Sequence, residues 1–455
     1  MVDDDDLAFL PAVELLRLLE RKQASSRELL DVYLDRAGRH NKSVNAIVTL
    51  DAERAGRRAR EADEATARGE SWGPLHGLPV TVKDVFETDG LRTTAGSSEL
   101  ADYVPDRDAV LVARLRRAGA VIFGKTNTPA MAGGGQTFND VFGTTNNPWD
   151  LARTPGGSSG GCGAALAAGL TPLSFGSDIA GSIRIPASFC GVYGHKPTYR
   201  LIPQRGHIPG PPGQRIERDI NVVGPLARDA RDLDLALSVL AGPMGQEDLG
   251  WQPTLPPPLE RPLSDYRVAA WLDEPACPVD ASVAERLEAM AEALRVAGAR
   301  VETQARPDFS FEEAVGLFRK LVWIRGDREL THAEWLDLDD QRQRCRDAWA
   351  TLFRSFDLVV CPVCSTPPFA HDQRPLGERR YVINGADRPI DDYVAWPGLI
   401  GMAYLPSTST PLGLNHNGLP VGAQIVGPHL ADRRTIDFAA KLSSVVGGFA
   451  RPTGF

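Results

Sequence analysis

Hydrophobic positions in the first seventy residues recur at helical spacing and then give way to a short strand-like run. Residues 13–19 place valine and leucine on one stripe, which predicts a helix. Ser25 or Ser26 is expected to cap a second predicted helix, and Glu28 follows Ser25 by three residues, the spacing of a capping box. Residues 44–50 predict a strand, and the Ala-, Arg- and Glu-rich residues 51–68 predict an exposed helix.

Strand and helix patterns alternate through the rest of the chain. The apolar residues 78–82 predict a buried strand that ends at Lys83 and Asp84, and a helix over 109–118 leads into a strand over 120–123. Further strands are predicted at 173–175, 266–271, 299–302, 358–360 and 421–426, and further helices at 159–169 and 281–297. Such alternation is typical of α/β proteins, so we expect an α/β/α layer with a central, mixed and twisted sheet flanked by helices.

Length and composition suit one large enzyme domain. The chain has 455 residues, of which 42% are hydrophobic and 24% charged, enough to bury a sizeable core. No Ser/Gly-only linker interrupts it, and the proline-rich residues 253–262 form the one candidate seam. We therefore expect a single domain over 1–455, and a substrate-shaping subdomain over roughly 255–400 stays open.

The charge balance argues against nucleic-acid and membrane partners. There are 50 basic and 59 acidic residues, a net charge of −9, and no Lys/Arg-rich stripe offers phosphates a footprint. No basic leader and no run of 18 apolar residues is found, so we expect a soluble, cytoplasmic protein. The run Asp3–Asp6 is interpreted as a solvated tail. The expected partner is a small-molecule substrate, and a homodimer stays open.

The six cysteines do not suggest a disulfide framework in a chain of this length. Cys361 and Cys364 have the CxxC spacing, but a zinc site needs a second ligand pair, and His371 is the only nearby candidate. A thioredoxin-type motif would open a helix, whereas this one follows a strand. We therefore favour reduced, buried cysteines at a strand end and expect no metal and no cofactor.

Two serines in glycine-rich loops carry the candidate chemistry. Ser158 lies in Gly-Gly-Ser-Ser-Gly at 156–160, and Ser182 lies in a second such loop. Glycine leaves backbone N–H groups free to face a substrate oxygen, and Lys83 at a strand end can serve as a base, so acyl transfer is indicated. The first loop has three other interpretations: a nucleophile elbow, which lacks its preceding strand; a phosphate cradle, which lacks a nearby cation; and a turn that only packs a helix on a strand.

Several separated motifs, in order along nearly the whole chain, resemble those of the amidase-signature hydrolases. They are Gly-Leu-Pro-Val-Thr-Val-Lys-Asp at 77–84, Gly-Lys-Thr-Asn-Thr-Pro at 124–129, Phe-Gly-Thr-Thr-Asn-Asn-Pro-Trp at 142–149, the stretch 155–191, and Gly-Leu-Pro-Val-Gly-Ala-Gln-Ile-Val-Gly at 418–427. Agreement at this number of sites is far more specific than one G-x-S-x-G match.

The resemblance implies that Ser182 is the nucleophile, Ser158 a bridging serine and Lys83 the base. An ammonium cannot accept a proton, so Lys83 must be neutral, and burial after an apolar strand lowers the pKa of a lysine. Ser158 would then carry the proton of Ser182 to Lys83 and return it to the departing nitrogen. In the family the peptide before the bridging serine is cis, which here is the Gly157–Ser158 bond.

The resemblance also assigns supporting groups. The oxyanion hole is expected from the backbone N–H groups of the second loop, which belong to Ile179, Ala180, Gly181 and Ser182. Asp178 is expected to hydrogen-bond Ser158, and Arg184 either supports the same loops or forms a structural ion pair. Gly157 and Ser159 are expected to shape the first loop.

Two residues depart from the family pattern. Ala180 stands where a second glycine is frequent, and the oxyanion hole tolerates it unless the position requires a positive φ. Cys162 stands where relatives often carry Glu or Ser, and it is interpreted as a packed core residue rather than a reactive thiol.

The substrate pocket is predicted around a run of tiny residues. Met131, Ala132, Gly133, Gly134, Gly135 and Gln136 would lie near the bridging serine and leave room for a bulky or flat acyl group. The C-terminal half supplies aromatic residues that are either core or pocket: Trp323, Trp335, Trp349, Trp396 and Tyr404. Residues 206–218 form a Gly/Pro-rich loop whose role as a lid stays open.

The family holds two kinds of function. Stand-alone amidases act on aryl amides, anilides and carbamates, and esters should react too because their leaving groups are better. A glutamine-hydrolysing subunit of a tRNA-dependent amidotransferase, working with a partner protein, is the alternative. Members of that group usually read Asn-Met-Asp-Glu-Phe where this chain has Asn-Thr-Pro-Ala-Met at 127–131, so the resemblance favours the stand-alone amidase.

Overall fold

A mixed sheet of eleven strands forms the centre of the molecule, seen in a computed structural model that describes residues 4–323 and 330–455. The strands in this part of the chain are β1 (Ile47–Leu50), β2 (Pro79–Lys83), β3 (Val121–Thr126), β4 (Phe138–Asn139), β5 (Gly143–Thr144), β6 (Leu173–Asp178), β7 (Tyr193–Lys196), β8 (Val222–Ala227), β9 (Arg267–Ala270), β10 (Arg300–Glu302), β11 (Leu358–Pro362), β12 (Arg380–Ile383), β13 (Ala386–Pro389), β14 (Ser407–Leu414) and β15 (Pro420–Val426). The helices are α1 (Asp4–Phe9), α2 (Ala12–Glu20), α3 (Ser26–Val44), α4 (Ala52–Ala67), α5 (Val110–Arg117), α6 (Gly160–Ala167), α7 (Arg184–Cys190), α8 (Ala230–Leu240), α9 (Ala281–Val296), α10 (Phe311–Trp323), α11 (His332–Ser355), α12 (Ala395–Met402) and α13 (Asp432–Val446).

The central sheet combines parallel and antiparallel pairs. Its order is β1-β3-β2-β6-β8-β7-β14-β15-β11-β9-β10. Strand β2 runs parallel to β3 and β6, and β9 runs parallel to β10 and β11. The strands between these two groups pair antiparallel from β6 through β11. The predicted α/β class with a mixed sheet flanked by helices is therefore confirmed.

The N-terminal helices have the predicted cap but differ in number and bounds. The Ser25 hydroxyl accepts from Glu28 N–H, and the Glu28 carboxylate accepts from Ser25 N–H, which completes the capping box. The chain forms three helices before β1 rather than the two predicted, because an additional helix, α1, precedes α2. The strand predicted from Val44 begins at Ile47, since α3 runs on to Val44. Helix α4 is not wholly exposed, because it buries a face of alanine and glycine.

The acidic run at the N-terminus is anchored at Asp5. This residue lies in the first turn of α1, and its carboxylate pairs with Arg36 at 2.5 Å and with Arg39 at 3.0 Å. The Arg36 side chain is buried, and the carboxylate together with two backbone carbonyls offsets the loss of its hydration. The interpretation of this run as a solvated tail was wrong for Asp5.

Helix α6 consists of small residues because its surroundings leave no space for larger ones. All eight of its residues are buried. A Cβ atom on Gly161 would lie 2.4 Å from Asn127 N and 2.8 Å from Ala46 O, so only glycine fits there. Helix α7 is likewise buried along its whole length. These two helices follow the two serine loops directly and hold them in the core.

Strands from both sides of the proline-rich residues 253–262 share the central sheet, because β9 and β10 join it through β11. The single domain and the subdomain over 255–400 stay predictions. Cys361 lies in β11 and Cys364 shortly after it, and both thiols are buried and free. Within the described ranges, no group of three or more His, Cys, Asp or Glu side chains is placed to hold a metal. No described helix has the length and apolar character needed to cross a membrane.

Candidate active site

Lys83 ends β2 at the centre of the molecule, where the neighbouring strands β3 and β6 bury it completely. Its Nζ lies 2.6 Å from Ser158 Oγ and 3.1 Å from Ser177 Oγ. No carboxylate pairs with it among the described residues. Burial lowers the pKa of Lys83 to about 7, against weaker opposing effects from Cys162 and Asp178. A substantial neutral fraction of this amine is therefore present near neutral pH.

The first serine loop approaches other backbone closely. The Gly157–Ser158 peptide is cis, as the resemblance implies. A Cβ atom on Gly157 would lie 2.9 Å from Gln136 N and from Gly134 O, which explains why this position is glycine. Ser159 N–H donates to Ser182 O at 3.1 Å, so one hydrogen bond joins the two serine loops.

The second loop presents Ser182 and free backbone donors. Ser182 is half-buried, and its hydroxyl makes no hydrogen bond within residues 4–323 and 330–455. The N–H groups of Ile179, Ala180 and Ser182 likewise have no partner in these ranges, whereas Gly181 N–H donates to Asp178 Oδ1 at 2.8 Å. Three of the four expected oxyanion donors are thus available, and Gly181 is engaged elsewhere. Ala180 has no positive φ, so its side chain is compatible with the loop.

Asp178 and Arg184 form a buried ion pair beneath the second loop. Their closest contact is 2.9 Å, and both side chains are fully buried. Burial by itself would raise the pKa of Asp178, but the charge and hydrogen bonds of Arg184 hold it at about 2. The carboxylate also accepts from the N–H groups of Gly181 and Ile183.

The expected hydrogen bond from Ser158 to Asp178 was wrong. No such bond exists in the described part of the chain, because the Asp178 oxygens are occupied by Arg184 and by the loop backbone. Arg184 also donates to Gln424 Oε1 and to Pro397 O. The pair therefore fixes the shape of the second loop, which agrees with both interpretations of Arg184.

Cys162 is a packed core residue. It is fully buried in α6, and its Sγ lies 3.0 Å from Thr126 Oγ1. Burial raises the pKa of this thiol, so the thiolate form that reacts is suppressed.

A cavity of about 440 Å³ opens over the serines. Ser158, Ser177 and Ser182 lie on its wall, and Lys83 lies behind them. Its remaining lining is mostly apolar or small: Met131, Ala132, Gly133, Gly134, Gly135, Gly157, Ile179, Ala180, His207, Pro209, Gly210, Arg218, Asn221, Phe318, Arg319, Val322, Leu376, Tyr393 and Val394. The Gly/Pro-rich loop 206–218 thus contributes one wall of the cavity.

The predicted pocket run needs two corrections. Residues Met131 to Gly135 line the cavity, but Gln136 does not. Its side chain is buried and exchanges two hydrogen bonds of 3.0 Å with the backbone of Asp372. Gly135 does not leave open space either, since a Cβ atom there would lie 2.4 Å from the ring of Tyr393.

The predicted aromatic residues do not line this cavity where their side chains are described. Trp349 and Trp396 are fully buried in the core. Tyr404 stacks on Tyr199 with ring centroids 4.2 Å apart, and Trp335 stacks on His332. The side chain of Trp323 lies outside the described part of the structure.

Sequence reasoning missed Ser177 and the far wall of the cavity. Ser177 directly precedes Asp178, so its place beside the second loop was a usable signal. Phe318 and Arg319 in α10, and Tyr393 before α12, come from distant segments that carry no local motif. Only the packing of the chain brings them to the serines.

Comparisons with known proteins identify the family of the chain. The amidase family model matches residues 28–328 and 310–436. The chain is 33% identical to an acylamidase of Rhodococcus erythropolis over 483 residues, which covers 97% of this chain and 96% of that protein. It is 31% identical to a glutamyl-tRNA(Gln) amidotransferase subunit of Alkaliphilus metalliredigens over 482 residues, covering 94% and 95%.

The fold agrees as well. The structure of a bacterial aryl acylamidase of the amidase signature family superposes with a TM-score of 0.83 and covers 96% of each chain, at 24% identity. The family match spans most of the chain and includes both serine loops and the strand that carries Lys83. The chain belongs to the amidase signature family, whose enzymes act on C–N bonds.

Proposed function

We propose that this protein is a stand-alone serine hydrolase that cleaves C–N bonds of aryl or hydrophobic amides and carbamates, with esters as side substrates. One observation carries the proposal: the buried, pKa-lowered Lys83 lies 2.6 Å from Ser158 at the wall of a largely apolar cavity that also exposes Ser182. An apolar cavity of this size favours substrates with substantial hydrophobic surface.

The proposed reaction passes through an acyl-enzyme on Ser182. Neutral Lys83 takes the proton of Ser158 as Ser158 takes that of Ser182, and Ser182 Oγ forms a bond to the carbonyl carbon. The proton then returns through Ser158 to the leaving nitrogen, and the C–N bond breaks. Water attacks the acyl-enzyme by the same relay and restores Ser182.

The relay requires a contact that forms with substrate. No hydrogen bond joins Ser158 and Ser182 in the described structure, and catalytic hydrogen bonds commonly tighten only in the enzyme–substrate complex. The negative charge on the carbonyl oxygen would be stabilised by the free N–H groups of Ile179 and Ala180. Removal of one such donor typically costs on the order of 100- to 1,000-fold in rate.

A glutamine-hydrolysing amidotransferase subunit that works with a partner protein is the second candidate. The similarity to a glutamyl-tRNA(Gln) amidotransferase subunit over 94% of this chain favours it. Three observations favour the amidase. They are the mostly apolar lining of the cavity, the departure from the amidotransferase pattern at residues 127–131, and the equally extensive similarity to an acylamidase.

The test measures hydrolysis of a nitroanilide, an aniline-releasing carbamate and glutamine at roughly pH 8 to 9, where Lys83 is neutral. Wild type, Ser182→Ala and a control, Ser238→Ala, are compared, since Ser238 is an exposed serine of α8. We expect anilide and carbamate turnover that is lost only in Ser182→Ala. Turnover of glutamine alone would move the assignment to the glutamine-hydrolysing subunit. If turnover survives in Ser182→Ala, Ser182 is not the nucleophile.

A further inference from the structure

The cavity over the serines has positively charged residues in a lining that is otherwise mostly apolar. Two of its described lining residues, Arg218 and Arg319, are cationic, and none of them is Asp or Glu. The protein as a whole carries a net charge of −9, so two cations and no acid among the described lining residues run against the general balance. A feature of this kind needs a specific explanation.

Both arginines lie at the same wall, beside α10. Arg319 and Val322 line the cavity from one face of this helix, since residues three apart share a face. Arg218 Nη2 donates to Val322 O at 3.5 Å, which places its guanidinium at that face too. The serines belong to loops beside the sheet. The cavity therefore has one wall that carries the candidate catalytic serines and a cationic wall that carries Arg218 and Arg319.

The neighbouring acid does not neutralise Arg319 fully. Asp392 contacts Arg319 at 3.2 Å, but its other oxygen contacts Arg388 at 2.7 Å. One carboxylate shared by two guanidinium groups leaves a net positive charge. In addition, Arg319 Nε is buried and has no hydrogen-bond partner in the described structure, although an N–H group in this position normally has one.

We propose that the Arg218–Arg319 wall selects substrates that carry a carboxylate on the acyl or the amine portion, at a distance from the scissile bond. A carboxylate can take two parallel hydrogen bonds from one guanidinium, and the only hydrogen bond that Arg319 donates among the described residues is the one from Nη2 to Asp392. Phe318 and the residues Met131 to Gly135 would enclose the apolar part of such a substrate. This inference rests on the proposed amidase function and narrows its substrate class.

The test uses two matched substrate pairs. On the acyl side these are the 4-nitroanilide of glutaric acid and that of glutaric acid monoamide, and on the amine side N-acetyl-4-aminobenzoate and N-acetyl-4-aminobenzamide. The members of a pair share the scissile bond and differ only in charge. We expect kcat/KM to favour the carboxylate by roughly 10-fold or more in at least one pair, mainly through KM, and the preference to shrink as salt rises.

Variants show which residues cause the preference for the carboxylate. Arg319→Gln and Arg218→Gln should each remove most of it, and a circular dichroism spectrum and a urea unfolding transition like those of the wild type show that the variants fold. Arg295→Gln is the control, because Arg295 is an exposed arginine of α9 that pairs with Glu292 and does not line the cavity. A preference that persists in both cavity variants, or that Arg295→Gln removes equally, would overturn the inference.

The experiment distinguishes a failure of carboxylate selection from a failure of the proposed amidase function. Equal turnover of both members in both pairs overturns the carboxylate selection and leaves the amidase assignment standing. If no member is hydrolysed, the amidase assignment fails, and calorimetric binding of 4-phenylbutyrate against 4-phenylbutyramide then decides the inference. Tighter binding of the acid that is lost in Arg319→Gln supports it, and equal binding overturns it.

Discussion

Lys83 and Lys125 lie on the neighbouring parallel strands β2 and β3, and both are completely buried, yet their surroundings differ in kind. Lys125 Nζ donates to Phe86 O and to the hydroxyls of Thr88 and Thr93, so each of its three N–H groups has an acceptor. Lys83 Nζ contacts only two serine hydroxyls in the described structure, and both serines line the cavity. Burial lowers the pKa of both amines, to about 8 for Lys125 and about 7 for Lys83.

The difference shows that burial and a lowered pKa do not by themselves identify a base. Thr88 and Thr93 donate their own hydroxyl hydrogens to backbone carbonyls, so Lys125 is surrounded by fixed acceptors that favour its ammonium form and tie one loop to the sheet. Lys83 has partners that can also donate a hydrogen bond, which a neutral amine accepts. We therefore infer that the hydrogen-bond partners, more than the pKa, separate a base from a structural lysine here.

The largest expected effect separates the two lysines directly. Lys83→Met should lower kcat/KM for a nitroanilide by roughly 100- to 10,000-fold, because no base then accepts the proton. Lys125→Met should leave kcat of the folded protein unchanged but lower the free energy of unfolding by about 1–3 kcal/mol, since buried acceptors lose their donor. Steady-state kinetics and urea denaturation of both variants check this. An equal loss of activity per folded molecule in both variants would mean that the two lysines do not differ in function.

The next effect separates the two serines that contact Lys83. Ser158→Ala interrupts the proposed relay and should lower kcat by roughly 100-fold or more. Ser177→Ala removes only a contact that orients the amine, so its loss should be smaller and accompanied by a shift in the pH profile. Kinetics over a pH series on both variants test this. A larger loss in Ser177→Ala would give Ser177 the bridging role instead.

The pH dependence gives a third, smaller effect. The pKa of Lys83 is lowered from 10.5 to about 7, so the amine is neutral above about pH 7 and becomes protonated as pH falls. We expect kcat/KM to fall about tenfold per pH unit below pH 7 and to level off above it. Lys125→Met should leave this acid limb in place. A limb near pH 10 would show that the pKa of the base is not lowered, since 10.5 is the ordinary pKa of a lysine.

The smallest effect concerns the structural lysine alone. Thr93→Val removes one acceptor from Lys125 while keeping the shape of the side chain, and should lower the free energy of unfolding by about 1 kcal/mol. The acid limb of the activity profile should stay where it is. Denaturation and a pH series measure the two quantities, and a shifted limb would mean that the two lysines are coupled.

Much of the fold was predictable because local patterns and packing agree. The apolar run ending at Lys83, the capping box at Ser25 and the helix beginning near Ala281 all carry short-range signals that survive in the structure. The acidic residue Asp5 was misjudged because its partners, Arg36 and Arg39, lie about thirty residues away, and sequence spacing does not reveal such pairs.

The sequence by itself determined the two serine loops, the lysine at the strand end and the family, because glycine at fixed positions and several ordered motifs are local properties. The tertiary structure alone decided that Asp178 binds Arg184 rather than Ser158, that Gln136 turns to Asp372, and that α10 and the loop 206–218 together form the cationic wall. These outcomes depend on which distant groups compete for one hydrogen bond or one volume. That competition is settled only when the whole chain has packed.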